Sequence, residues 1–119
     1  MTKIENALIK STMLGIEDHG CFTAYVFVDG DGWGCGFGGY ALDQWYEAKG
    51  KRVGTAYGLE FVMCLLEALG VESWEKLPGT ICRVETEGPG GKIVRIGHPI
   101  KNKWFDPREL SASFTETKP

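Results

Sequence analysis

The chain has 119 residues, 43% hydrophobic and 24% charged, with a formal charge of −3. That length fits one domain with a sizeable core, and those fractions exclude a disordered or collagen-like chain. Residues 1–48 carry two lysines against seven acids, and residues 49–119 carry eleven cations against nine, so neither half is a nucleic-acid-binding polycation.

Residues 4–14 read as a first strand, and Gly15 to Gly20 as a turn rich in turn formers. The clearest strand is 21–29, dense in aromatic and β-branched types, with Phe22, Ala24, Val26 and Val28 on one face. Thr23, Tyr25 and Phe27 share the other face. Asp29-Gly30-Asp31-Gly32 has the composition of a tight hairpin turn. Glycine then occupies every second position from Gly30 to Gly38. In a strand this leaves one face bare and places Trp33, Cys35 and Phe37 on the other. The bare face is expected to admit the main helix closely.

A short helical turn and a loop are expected over 41–53. The main helix follows over 55–69, with Thr55 as N-cap and Gly70 as stop. Its only charged residues, Glu60 and Glu67, mark one narrow solvent stripe, so the helix needs cover on most sides. Ser73 is placed to cap a turn ending at Leu77. Residues 80–86 and 92–97 alternate apolar with polar, and Gly88 to Gly91 joins them as a second hairpin. Asp106-Pro107-Arg108-Glu109 is a helix start, predicting one or two C-terminal turns. The order β-β-β-α-β-β-α predicts an α+β domain over 1–114: an antiparallel sheet of about five strands, the main helix on one face, and a frayed tail over 115–119.

Several constellations have a bland reading beside the chemical one. Asp29, Asp31 and Gly34 resemble the opening of a calcium loop, but Trp33 and Tyr40 stand where oxygen ligands are needed. The G-x-G-x-x-G-like spacings lack a helix opening from the glycines. Cys21, Cys35, Cys64 and Cys82 form no C-x-x-C pair and read as buried thiols in a reducing cytosol. His19 lies near Cys21 and could meet Cys35 across a hairpin, the one arrangement open to nucleophilic chemistry. No metal or cofactor is expected, nor catalysis. The start is not a signal peptide and no apolar run is long enough to span a membrane, which predicts a cytoplasmic protein. Lys92, Arg95, Lys101, Lys103 and Arg108, with Trp104 and Phe105, form the one basic–aromatic segment. Aromatics among cations suit a single nucleic-acid strand; the alternative is that Trp104 and Phe105 anchor the last helix.

Ser11-Thr-Met-Leu-Gly-Ile-Glu-Asp-His-Gly20, Gly36-Phe-Gly-Gly-Tyr-Ala-Leu-Asp43 and the ending Gly90-Gly-Lys-Ile-Val-Arg-Ile-Gly-His98 with Lys103-Trp-Phe-Asp106 resemble small bacteriophage and prophage proteins. The resemblance implies a protein made in the bacterial cytosol during infection. By analogy with anti-CRISPR proteins, it implies a non-catalytic inhibitor that blocks a host defence complex sterically. Glu17, Asp18, Asp29, Asp31 and Asp43 would then meet a basic channel, with Trp33 or Tyr40 as anchors. The alternative is a phage nucleic-acid-binding accessory protein using Lys92, Arg95, Lys101, Lys103 and Trp104. Pairing of two copies through an edge strand or the glycine face is open as well.

Overall fold

The computed structural model describes residues 2–17, 19–88 and 91–116. A meander of β1 (Lys3–Ile16), β2 (Phe22–Gly30) and β3 (Trp33–Gly38) comes first. A small hairpin follows, β4 (Asp43–Tyr46) and β5 (Lys51–Gly54), closed by a 3₁₀ turn over Glu47–Lys49. Helix α1 (Ala56–Leu69) leads through a 3₁₀ turn (Trp74–Lys76) to β6 (Ile81–Thr86), β7 (Ile93–Gly97), β8 (Trp104–Phe105) and helix α2 (Pro107–Glu116). The fold is α+β, as expected. The main sheet has six strands in the order β3-β2-β1-β6-β7-β8, and every pairing is antiparallel.

The sixth strand is β8, two residues that pair with Ile96 and Gly97. The β4–β5 hairpin replaces most of the expected helical turn and loop. Besides the strand ladder, a side-chain pair ties its two strands: the Arg52 guanidinium donates to both Asp43 carboxylate oxygens at 2.9 Å. Strand β1 is the spine. Lys3–Leu8 pairs with β6 and Leu8–Ile16 pairs with β2, with a bulge between Ile9 and Ser11.

The caps match the sequence at two helices. Thr55 Oγ1 accepts from the Gly58 N–H at 2.9 Å, and Gly70 ends α1 with φ 74°. The Asp106 carboxylate accepts from the Arg108 N–H at 2.9 Å ahead of Pro107. Ser73 precedes its turn but makes no side-chain cap bond. Helix α2 is longer than one or two turns and continues through Glu116, so only 117–119 of the expected tail fall outside the described residues. Among the described residues no helix is long and apolar enough to cross a membrane.

The core lies between one sheet face and α1, and its centre is Phe61. The Phe61 ring stacks on Phe37 at 6.5 Å and meets Phe105 edge-to-face at 4.8 Å. Tyr40 and Tyr57 stand 5.5 and 6.1 Å from it. Phe37 also meets Phe105 edge-to-face at 6.1 Å. These two belong to opposite edges of the sheet, so the sheet curls around the core and α1 lies across the mouth. Ile9, Val26, Val28, Leu65, Leu77, Val84 and Ile96 complete the buried layer.

The glycine strand corrects one expectation. Its side-chain face, with Phe37 buried, turns toward α1, and its bare face points away from the helix. Aromatic side chains of β2 lie over the bare face instead. A β-carbon on Gly36 would stand 3.2 Å from the Phe27 ring, and Phe27 and Tyr25 stack at 5.5 Å with 8° between planes. Gly36 pairs directly with Phe27, so the missing side chain leaves room for the ring of its cross-strand neighbour.

Candidate functional site

The acidic residues expected to meet a partner divide between the two ends of β2, with Glu17 and Asp43 near one end and Asp29 and Asp31 at the other. Glu17 stands at the β1–β2 end, where its carboxylate accepts from the His19 N–H at 2.8 Å; that bond holds its pKa below the ordinary carboxylate value. Asp18 lies outside the described residues. Asp29 and Asp31 are at the opposite end of β2, roughly 27 Å away at strand spacing. Asp29 faces Lys10 at 3.9 Å, and Asp31 sits in the β2–β3 turn. Asp43 is paired with Arg52, its side chain only 10% exposed, and this pairing lowers its pKa.

The two aromatic anchors point inward. Trp33 shares the covered face with Phe37 and donates its indole N–H to Glu5 at 3.1 Å. Tyr40 is half-buried against Phe37 and Phe61, and loss of solvent raises its pKa. Strand alternation explains Trp33: it stands four residues before Phe37, an even number, and so faces the same way. His19 and Cys35 are also separated, His19 at the β1–β2 end and Cys35 opposite Val28 near the far end of β2. Cys82 is fully buried, which pushes its thiol up to about 12.

Part of the basic–aromatic segment gathers on the face of the sheet that no helix covers, whereas Lys103 lies beside Glu67 and Glu109 on the helix side. Arg83, Gly97 and Trp104 stand side by side across β6, β7 and β8. Gly97 has no side chain, so the Trp104 indole leans over it toward Arg83. The Arg83 guanidinium lies 4.8 Å from the indole centroid and the Arg95 guanidinium 3.9 Å. Both distances are within cation–π range. Arg95 also pairs with Glu85, which holds that carboxyl below its ordinary pKa.

Arg83 Nη2 donates to the Lys101 carbonyl at 2.9 Å, while its Nε is buried without an acceptor. The indole is therefore a main partner of this guanidinium. Lys101 and Lys103 are exposed on the loop before β8, and Lys92 is exposed at the entrance to β7. His98 shapes that loop: its Nδ1 accepts from the Ile100 and Lys101 N–H groups at 3.1 and 3.0 Å. Of the two aromatics, Phe105 enters the core while the Trp104 indole lies on the open face. Arg108 is drawn away to Asp106 at 2.7 Å.

The sequence reading passed over Arg83 as a site residue. Its signal was the alternation of β6, which puts Arg83 and Glu85 on one face, but its contact with Trp104 depends on strand order. The rest of the open face is apolar at its centre. Leu8 and Ile81 are directly paired and exposed, with Ile4 further along β1. Separate from this face, a groove of about 590 Å³ lies at the start of α1, lined in part by Tyr40, Gln44, Thr55 and Tyr57. Among the described residues no group of three His, Cys, Asp or Glu side chains is placed to hold a metal ion. Comparison with family models, with curated proteins and with solved structures finds no match to this chain.

Proposed function

We propose that this is a non-catalytic binding protein that takes a single nucleic-acid strand on the open face of its sheet, in the setting of a phage accessory protein. The observation that carries the reading is the cationic corner at Trp104: the Arg83 and Arg95 guanidinium groups lie against the indole, Lys101 is exposed on the adjoining loop and Lys92 is exposed at the start of β7. An unpaired base offers a π face to an indole, and a phosphate backbone offers charge to the lysines. A duplex hides its bases and suits this corner less well.

The test is fluorescence anisotropy of a labelled oligothymidylate at increasing salt. Phosphate contacts by Lys92 and Lys101 predict a log–log salt slope of about −1.4. Trp104→Ala should weaken binding roughly tenfold and Trp104→Phe much less, as expected for about 1–3 kcal/mol of base stacking. No binding at low salt, or equal binding by Trp104→Ala, overturns the reading.

A second reading has its own observation. Ile4, Leu8 and Ile81 are exposed together on the same face, and an aliphatic patch beside Trp and Arg suits a protein surface. An inhibitor of a host defence complex, of the anti-CRISPR kind, would dock here rather than through the dispersed acidic residues. A tagged pull-down from a CRISPR-bearing lysate, with and without nuclease, separates the two. A stoichiometric complex that resists nuclease supports the inhibitor, and capture lost on nuclease treatment supports the nucleic-acid reading.

A further inference from the structure

We infer that the bound strand does not end at Trp104 but crosses the sheet to a second stacking platform, formed by Tyr25 and Phe27 on β2, with Lys10 as the phosphate contact there. The inference rests on the nucleic-acid reading above and extends it to the course and length of the ligand.

Three observations mark the second platform. Phe27 is 37% exposed although it is a large apolar ring on a well-formed strand. It stacks with Tyr25 at 5.5 Å, and the two rings lie beside the glycine strand, so no side chain of β3 walls them in. Lys10 is the extra residue at the β1 bulge, between Ile9, which pairs with Val28, and Ser11, which pairs with Phe27. Its side chain reaches the same face, where it meets Asp29 at 3.9 Å with both groups largely exposed. A pair of that kind is weak and exchanges readily for a phosphate contact.

Between the platforms lie Leu8 and Ile81, an exposed and directly paired apolar couple suited to sugar and base edges, with Asn6 beside Arg83 at the Trp104 end. The carboxylates bordering the path are Glu85, paired with Arg95, and Asp29, paired with Lys10. Lys92 and Lys101 have no carboxylate partner among the described ion pairs. Four strand spacings of ~4.8 Å separate β8 from β2, and Phe27 stands level with Ser11 where Trp104 stands level with Asn6, so the platforms lie about 24 Å apart at strand spacing. At the ~3.4 Å spacing of stacked nucleotides roughly seven residues bridge that gap, and fewer do so when the strand is extended.

The experiment compares a trinucleotide of thymidylate with a decanucleotide, using the wild-type chain, Phe27→Leu, Lys10→Gln and Trp104→Ala. Phe27→Leu keeps an apolar side chain over Gly36 and removes the stacking surface, so a matched circular dichroism melt separates folding from binding. The decanucleotide should bind at least tenfold tighter than the trinucleotide. Phe27→Leu should lose roughly tenfold on the decanucleotide and nothing on the trinucleotide, and Lys10→Gln should reduce the decanucleotide salt slope by about 0.7. If Phe27→Leu binds the decanucleotide like the wild type while Trp104→Ala does not, the second platform is wrong and the Trp104 site stands. If the wild type binds neither length, both fall.

Discussion

The Trp104 indole lies over Gly97, 3.0 Å from where a β-carbon on that glycine would stand. The same β-carbon would press on the Lys103 carbonyl oxygen, which is backbone and cannot swing aside. Gly97→Ala should therefore shift the 103–104 segment and destabilise the domain by about 1–3 kcal/mol, as overpacking does. Urea unfolding followed by tryptophan fluorescence checks this. An unchanged midpoint would mean that β8 slides without cost.

Phe61 is the ring most others touch. Phe61→Ala removes its contacts with Phe37, Tyr40, Tyr57 and Phe105 together, and the opposite edges of the curled sheet then meet over a cavity. The expected loss is about 3–5 kcal/mol, a large share of the stability of a domain this size. Phe61→Leu should lose markedly less. Thermal unfolding of both variants ranks them.

Thr55→Ala tests the start of α1. The hydroxyl oxygen accepts from Gly58 N–H and the hydroxyl donates to the Leu42 carbonyl at 2.9 Å, tying the helix to the segment that follows β3. Loss of the cap should lower stability by about 1 kcal/mol. Thr55→Ser should restore most of it, since both bonds need only the hydroxyl. Chemical denaturation of the two variants side by side reads the difference.

Stability should fall in acid for a nameable reason. The Asp106 carboxyl is buried, and its pKa is lowered first by the hydrogen bond from Arg108. Asp43 is lowered likewise by Arg52, and Glu85 by Arg95. A carboxyl whose folded pKa lies below its unfolded value stabilises fully above the unfolded pKa, about 3.9 for Asp. That contribution is lost as the pH falls through the folded pKa. Asp106→Asn should be less stable at pH 7 and show a shallower acid decline. Urea midpoints taken from pH 7 down to pH 2 test both statements.

Thiol labelling should sort the cysteines. Cys82 is fully buried and its thiol is pushed up to about 12, so an alkylating reagent at pH 8 should reach it only on global unfolding. Cys64 is raised as well, by burial first and then by Glu60, and should label slowly. Mass spectrometry over time gives the order. Early labelling of Cys82 would mean that β6 opens locally.

Much of the fold was legible because its signals are local. Thr55, Gly70 and the Asp106-Pro107 pair act within one turn of chain, and the Asp31-Gly32 turn joins two neighbouring strands. The β4–β5 hairpin was not legible, since four-residue strands carry little periodicity and Asp43 and Arg52 find each other only in three dimensions. The side to which the glycine face turns was hidden for the same kind of reason. Alternation says that Trp33, Cys35 and Phe37 share a face, but Phe61 and Phe105 decide that this face is inside. Lys101, Lys103 and Trp104 stood out as a run in sequence; Arg83, some twenty residues away, joins Trp104 only through the β6–β7–β8 pairing.

The divided pairing of β1 bears on how the chain is made. Its second half meets β2 across a short turn, so that hairpin can close as soon as β2 is free of the ribosome. Its first half must wait for β6, which arrives roughly seventy to eighty residues later. The strand of the sheet that is made first is therefore among the last to be satisfied. During that interval Ala7 and Ile9 border an open edge, and a chaperone or a second nascent chain competes for it.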